Sequence, residues 1–509
     1  MADLSPEDRG DAVNPLRHQP QGVIGLLLIA GIFLTIAYFV SHGWPWEDSG
    51  SAPSTEVSTP TLVDPADARL EAALSEPKED SVYPGVGDPG VDALHYDLGL
   101  EWQPEERHLR GEAVITFRSA VDAESFQLDL IPELTVSRVE LDGSPVPYRH
   151  TTKDLVITAR LAQDERYQVR IDYSGTPVPV TAPTTRADVD GLGWHITETG
   201  ETWTMQEPFG AYSWYPVNDQ PADKALYDFT LSVPSPMVGV ANGRLTAREE
   251  SAGRTTTQWH LAEPASSYLV TTAFGNYEMS TEVSDSGIPI TWWTPPTEQG
   301  AEDLKELAKL LTWAEGRLGP YPFDTLGLVL VDSKSAMETQ TMITLGNEPY
   351  LRPPEILLHE LIHQWYGDQV GPTDWRDLWM NEGMTMYLQG VYEAEEQDVP
   401  IAAKMDQWAD YEAGMRRQSG PPGDFRPQRF GDGNVYYGPA LMWHELRQDL
   451  GEDRFWDLVR GWPAAHDSGE LSGSADREDF YTWIETTTGE ELSAFFDAWI
   501  MGARTPSRD

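Results

Sequence analysis

From Asp92 to about residue 290 apolar and polar positions alternate in short bursts. "HYDLGLEW", "GEAVITFRS", "DLVITARL", "RYQVRIDYSG" and "ALYDFTLSVP" are separated by turn residues. A period of two puts successive side chains on opposite faces of a strand, so this stretch predicts an all-β domain, a sandwich or saddle, over 91–293. Beyond Thr294 the period lengthens to that of a helix. "EDLKELAKLLTWAEGRLG" is amphipathic and stops at Gly, and "LGLVLVD" reads as a short buried strand. "PPEILLHELIHQWYG" opens with Pro in its first turn and ends at Gly367. Further helices are expected over 379–394, 436–450, 452–462 and 477–487, with a long loop from Ser419 to Asn434. The second domain, 294–509, is therefore of mixed helix and strand.

The N-terminus follows neither period. Residues 22–40, "GVIGLLLIAGIFLTIAYFV", are an uncharged apolar run of membrane-spanning length. Arg9 and Arg17 precede the run and Glu47 and Asp48 follow it. The positive-inside rule then puts 1–21 in the cytoplasm and the rest outside, as a single-pass cell-membrane protein. A cleaved signal peptide is the rival reading; the run is longer than a signal core and no small-x-small site follows it. Residues 41–90, rich in Pro, Ser and acidic residues, read as a disordered linker.

The chain has no Cys, which excludes disulfides, iron–sulfur clusters and a thiol nucleophile; any metal must be held by His and carboxylates. Asp and Glu number 83 against 35 Lys and Arg, a net charge of −48, which argues against nucleic acid as a partner. No obligate protein partner is legible.

Within "HELIHQWYGDQV", His359 and His363 lie four apart, on one helix face, where both can point at a single ion. Glu360 lies about 100° round the helix, within reach of a water beside that ion. A catalytic zinc takes three protein ligands and leaves one position open. After eighteen intervening residues Glu382, in "DLWMNEGMTMYL", supplies a carboxylate that a turn and a second helix could return to the two histidines.

H-E-x-x-H, eighteen residues, then Glu resembles the zinc signature of the gluzincin aminopeptidases, the aminopeptidase N and leukotriene-A hydrolase group. The resemblance extends to "SAMETQTM", similar to the family's G-A-M-E-N strand, to "WYPVNDQPADKALYDFTLSVP" in the β-domain, and to "VYYGPALMWHEL". It implies a thermolysin-like α+β catalytic domain after the β-domain, making the expected fold class a transmembrane helix, a β saddle and this domain. It implies one Zn²⁺ per chain on His359, His363 and Glu382, Glu360 as general base and Tyr436, with Tyr437 as the alternative, as the donor that stabilises the oxyanion. Glu338 and Glu207 are implied as anchors for the free α-ammonium of a peptide. Ser335, Thr339 and Pro439 depart from the family's Gly, Asn and Gly. The family's large helical cap is expected to be absent, leaving an open cleft.

The expected function is a membrane-anchored zinc aminopeptidase acting on peptides with a free N-terminus. The alternatives are an endopeptidase or dipeptide-releasing enzyme, or a zinc-bound pseudoenzyme that binds peptides.

Overall fold

A computed structural model of the protein describes residues 64–296, 305–467 and 473–507. The alternating segments form an eight-stranded sheet, in the order Arg244–Ser251, Arg254–Ser266, Lys224–Pro234, Val91–Gln103, His108–Ser119, Arg166–Gly175, Leu134–Leu141 and Ser144–Pro145. Every pair in it is antiparallel except Val91–Gln103 with Lys224–Pro234, whose register sets His95 opposite Leu226. A four-stranded sheet, Val238–Ala241, Thr272–Gly275, Thr202–Met205 and Gly193–Ile196, shares its core, which is filled by Trp102, Trp194, Trp214 and Tyr215. A three-stranded sheet completes this half.

One carboxylate in the large sheet is badly housed. Asp97 is almost fully buried, opposite Asp228 in the parallel register and near Glu112. Burial first, then Asp228 and Glu112, push its carboxyl from 3.8 up to about 7. A raised acid favours the fold while protonated in both states, below about pH 4, and that advantage is lost as the pH climbs through 7. Asp97→Asn should therefore stabilise the protein at pH 8 by on the order of 2 kcal/mol and change little at pH 4, read as the difference in Tm at the two values.

The second half is built on a five-stranded sheet ordered Glu278–Val283, Pro289–Thr294, Leu326–Val331, Met342–Gly346 and Ala336–Met337. Ala336–Met337 is its last strand, paired on one side only. Among the described residues eight helices pack around it: α1 (Leu307–Leu318), α2 (Pro354–Ile362), α3 (Trp379–Glu396), α4 (Ile401–Ser419), α5 (Asn434–Leu450), α6 (Glu452–Asp467), α7 (Arg477–Thr488) and α8 (Ser493–Ile500). Helix α2 is shorter than its pattern suggests. It ends at Ile362, with His363 as its C-cap, and tighter turns carry the chain to Gly367. His363 N still donates to His359 O, so the two histidines keep a helical offset. Helix α4 occupies a stretch for which the sequence predicts no helix.

The expected fold class is corrected in one respect. No helix among the described residues is long and apolar enough to cross a membrane. The longest two, α3 and α4, carry acidic residues and, in α4, Lys404, Arg416 and Arg417 as well. The expected span 22–40 and the leader 1–21 lie outside the described residues, so the membrane anchoring and single-pass location expected from them find no support among the described helices. The fold is an N-terminal β-domain followed by an α+β domain.

The segment 64–90, expected within an unstructured linker, instead packs on both halves. Asp80 accepts hydrogen bonds from Val82 N, Tyr83 N and Trp375 N. Ser81 is held by Asp374, the Tyr83 hydroxyl donates to Pro427 O, and Gly87 N donates to Asp129. Short-range acid caps and one aromatic ring order a stretch with no period of its own. Between the halves, the buried Lys224 sends its ammonium to the carbonyls of Asp368 and Gln369 at 2.6 and 3.1 Å, just past α2. Tyr268 Oη donates to Gly367 O at 3.2 Å in the same turn.

Candidate active site

Helices α2 and α3 bring His359, His363 and Glu382 together. Glu382 Oε2 lies 3.3 Å from His359 Nε2 and 3.4 Å from His363 Nε2. Four tetrahedral ligands bonded at ~2.0–2.1 Å to one ion sit about 3.3–3.4 Å apart, so these spacings match a small four-coordinate cation. The trio is also the one group of His and acidic side chains among the described residues with donor atoms close enough to hold a metal.

The surrounding bonds turn each donor the right way. His363 Nδ1 faces the Tyr366 carbonyl at 3.1 Å, and His359 Nδ1 faces Gln389 Oε1 at 3.0 Å. Both partners only accept, so each ring carries its proton on Nδ1 and presents the Nε2 lone pair to the ion. Gln389 is oriented in turn, because its amide nitrogen donates to Glu393 at 2.8 Å. Against the cost of burial, His363 and His359 hold the Glu382 carboxyl well below its ordinary value, keeping it an anionic ligand. Gln389 lies seven residues past Glu382 on the same face of α3, a position the sequence reading overlooked. Gln389→Ala should weaken metal retention about 10- to 100-fold, seen as faster loss to a chelator with secondary structure unchanged.

Glu360, beside His359, is buried and lines the cavity; burial is the main reason its carboxyl rises to about 7. The Tyr436 hydroxyl donates to Glu382 Oε1 at 2.9 Å, and its ring stacks on His359 at 6.0 Å between centroids. Tyr437 instead packs its ring edge-on against Trp408 and Tyr411, which separates the two tyrosines the sequence left open. Burial pushes the Tyr436 hydroxyl well above 10, so it stays a neutral donor.

Gly383 explains how α3 and α5 approach so closely. A Cβ there would sit 2.3 Å from Pro439 Cβ, so the glycine after Glu382 and the proline three residues past Tyr436 fit against each other.

Glu338 enters from just beyond the last strand of the α+β sheet and Glu207 from just beyond the β-domain strand Thr202–Met205. Each has a buried carboxylate oxygen with no hydrogen-bond partner among the described residues. Burial and then the repulsion of Glu338 push Glu207 far up; burial also raises Glu338. Two carboxyls with unpartnered oxygens lining one cavity suit a cation. All seven residues line a single cavity of about 510 Å³ between the two domains.

The departures from the family motifs find local causes. Thr339 is fully buried and turns inward, its hydroxyl bonded to the Met342 carbonyl and to Thr344 Oγ1. Ser335 Oγ lies between Asp188 and Arg186 of the β-domain loop 176–192. That loop's part in the cavity carried no motif or period, and sequence reasoning missed it.

Residues 302–499 match the peptidase family M1 domain, and residues 92–269 match the peptidase M1 N-terminal domain. Human aminopeptidase N is 23% identical over 411 residues, covering 72% of this chain and 42% of that protein. Human glutamyl aminopeptidase is 29% identical over 224 residues, 39% of this chain and 23% of its own length. This chain thus spans less than half the length of these curated relatives. A mutant M1 zinc metallopeptidase from Deinococcus radiodurans, solved with a Tyr-Ser-Ala substrate, superposes with a TM-score of 0.74 at 26% identity. That match covers 84% of this chain and 98% of the other. With both domain models matched in order and the metal-ligand cluster assembled between α2 and α3, the chain belongs to peptidase family M1, whose members carry a metal.

Proposed function

We propose that this chain is a zinc aminopeptidase that removes N-terminal residues from short peptides. The observation that carries the reading is a pair of carboxyls, Glu207 and Glu338, each with one buried oxygen that has no hydrogen-bond partner among the described residues, contributed by opposite domains to the cavity that holds the metal-ligand cluster. An endopeptidase has no use for two anionic groups that stop the chain at a free ammonium, whereas charge-assisted bonds to that ammonium are what recognition of an N-terminus calls for. The tripeptide bound by the Deinococcus relative supports the same substrate class.

His359, His363 and Glu382 would hold one Zn²⁺, which when bound supplies Lewis acidity, polarising a carbonyl and bringing the pKa of a coordinated water towards ~7. The chain's own residues do the rest. Glu207 and Glu338 pair with the substrate ammonium and fix the first peptide bond over Glu360. The Glu360 carboxylate takes a proton from the water that attacks the carbonyl carbon. The same carboxyl then gives that proton to the departing nitrogen as the C–N bond breaks. Tyr436 turns its O–H from Glu382 to the carbonyl oxygen as negative charge develops there. The last strand of the sheet, Ala336–Met337, has a free edge along which the peptide backbone can lie.

The test is a set of aminoacyl fluorogenic amides with free and N-acetylated amines. Free-amine substrates are expected to be cleaved at least about a hundredfold faster, since acetylation removes the charge that both carboxyls bind. Equal cleavage of the acetylated set would remove the aminopeptidase reading.

A further inference from the structure

Loop 176–192 of the β-domain reaches into the cavity and is pinned at two sides. Thr184 Oγ1 donates to Phe430 O at 2.8 Å and Phe430 N donates to Pro183 O at 3.0 Å. On the other side Lys334 Nζ meets Asp190 at 2.7 Å. Between these anchors Arg186 is held by one edge. Its Nε and Nη2 donate to Asp188 at 3.3 and 2.5 Å, and Nη2 also donates to Ser335 Oγ at 3.3 Å. Ser335 Oγ donates back to Asp188 at 3.1 Å, so the serine that replaces the family's glycine closes a three-residue clamp.

The other edge is underused. Nη1 carries two N–H groups and makes one long contact, 3.4 Å to Tyr436 Oη. The side chain remains one-third exposed and lines the cavity. A guanidinium fixed by one edge with the other open is suited to take a carboxylate, and little conformational freedom is left to lose on binding.

Its location says which carboxylate. Ser335 precedes Glu338 by three residues of extended chain, roughly 10 Å at a rise of about 3.3 Å per residue. Glu338 stands at one end of that stretch, and the Ser335 hydroxyl that receives Arg186 Nη2 stands at the other. A peptide anchored at Glu338 and lying along this strand brings the residues that follow its first peptide bond to the guanidinium.

Resting on the aminopeptidase reading, we propose that Arg186 is a specificity-determining residue that binds a carboxylate within two residues of the scissile bond on the leaving side. Two groups carry that chemistry: the C-terminal carboxylate of a di- or tripeptide, and the side chain of an acidic residue just after the cleaved bond. The first makes the enzyme a finisher of peptide breakdown; the second makes it selective for acidic sequences.

Binding is measured by calorimetry in the Glu360→Gln background with metal content matched, so that no turnover enters the result. Ala-Ala and Ala-Ala-Ala are compared with their C-terminal amides, and Ala-Asp-amide with Ala-Asn-amide. In the presence of Arg186, at least one carboxylate ligand should bind about tenfold or more tightly than its neutral partner. The preference should fall below about threefold in Arg186→Gln and survive in part in Arg186→Lys, which keeps the charge but loses the fork. A preference confined to the free acids assigns the terminal carboxylate; one confined to Ala-Asp-amide assigns the side chain. Equal binding of acids and neutral partners with Arg186 present overturns the proposal whether or not the variants fold. An unchanged preference in Arg186→Gln, or its loss in Lys334→Met instead, also overturns it. Should the Glu360 enzyme fail to cleave any free-amine fluorogenic amide while the preference holds, the aminopeptidase reading falls and the carboxylate site stands.

Discussion

Glu360→Gln is expected to lower kcat on a free-amine fluorogenic amide by about 10³-fold or more, with metal content and KM nearly unchanged. The substitution keeps the shape of the side chain, so α2 and its two histidines remain in place. It removes a buried cavity carboxylate beside His359 that is neither a metal ligand nor an amine anchor. An amide cannot take a proton from water, nor return one to the departing nitrogen, and both transfers fail together. Metal content by atomic absorption, measured on the same preparations, separates this loss from loss of the ion. If the variant kept more than about a tenth of wild-type turnover, another group would have to be moving the proton.

Tyr436→Phe should cost about 10²- to 10³-fold in kcat, the usual effect of deleting one donor to a developing oxyanion. The phenyl ring keeps its stack on His359, so the helix and the metal-ligand cluster should survive. What is lost is the hydroxyl that now bonds Glu382 Oε1 and that can turn to the carbonyl oxygen. Because this bond strengthens only in the transition state, KM should change less than about threefold. A KM-dominated effect would mean that Tyr436 binds the ground state, and Tyr436→Trp with retained turnover would remove it from the chemistry.

The convergence of His359 and His363 was legible because helical periodicity fixes where i and i+4 point, whatever the rest of the fold does. The strands of the β-domain were legible for a similar reason: one buried face leaves a period of two in the chain. Helix α4 shows where that reasoning stops. Its buried positions Met405, Trp408, Glu412, Arg416 and Ser419 have helical spacing, but two of them are charged. Glu412 and Arg416 neutralise each other at 2.7 Å within the core, and Arg416 also caps the carbonyls of Trp499 and Gly502. A pattern search that equates burial with apolarity cannot see such a helix. Arg186 and Gln389 were hidden differently. Each acts through a partner distant in sequence, Ser335 and His359, and no local spacing announces that kind of pairing. Residues 64–90 were misjudged because their order comes from contacts with Asp374, Trp375 and Pro427, far along the chain.

The lysine that the β-domain drives into the turn after α2 ties the fate of the two halves together. Its ammonium is buried and caps carbonyls a few residues beyond His363. Cutting the gene at the junction would therefore not release a small working hydrolase. The C-terminal fragment would carry every ligand for the ion, yet the loop behind the second imidazole would have lost its fastening, and half of the ammonium receptor would be on the other piece.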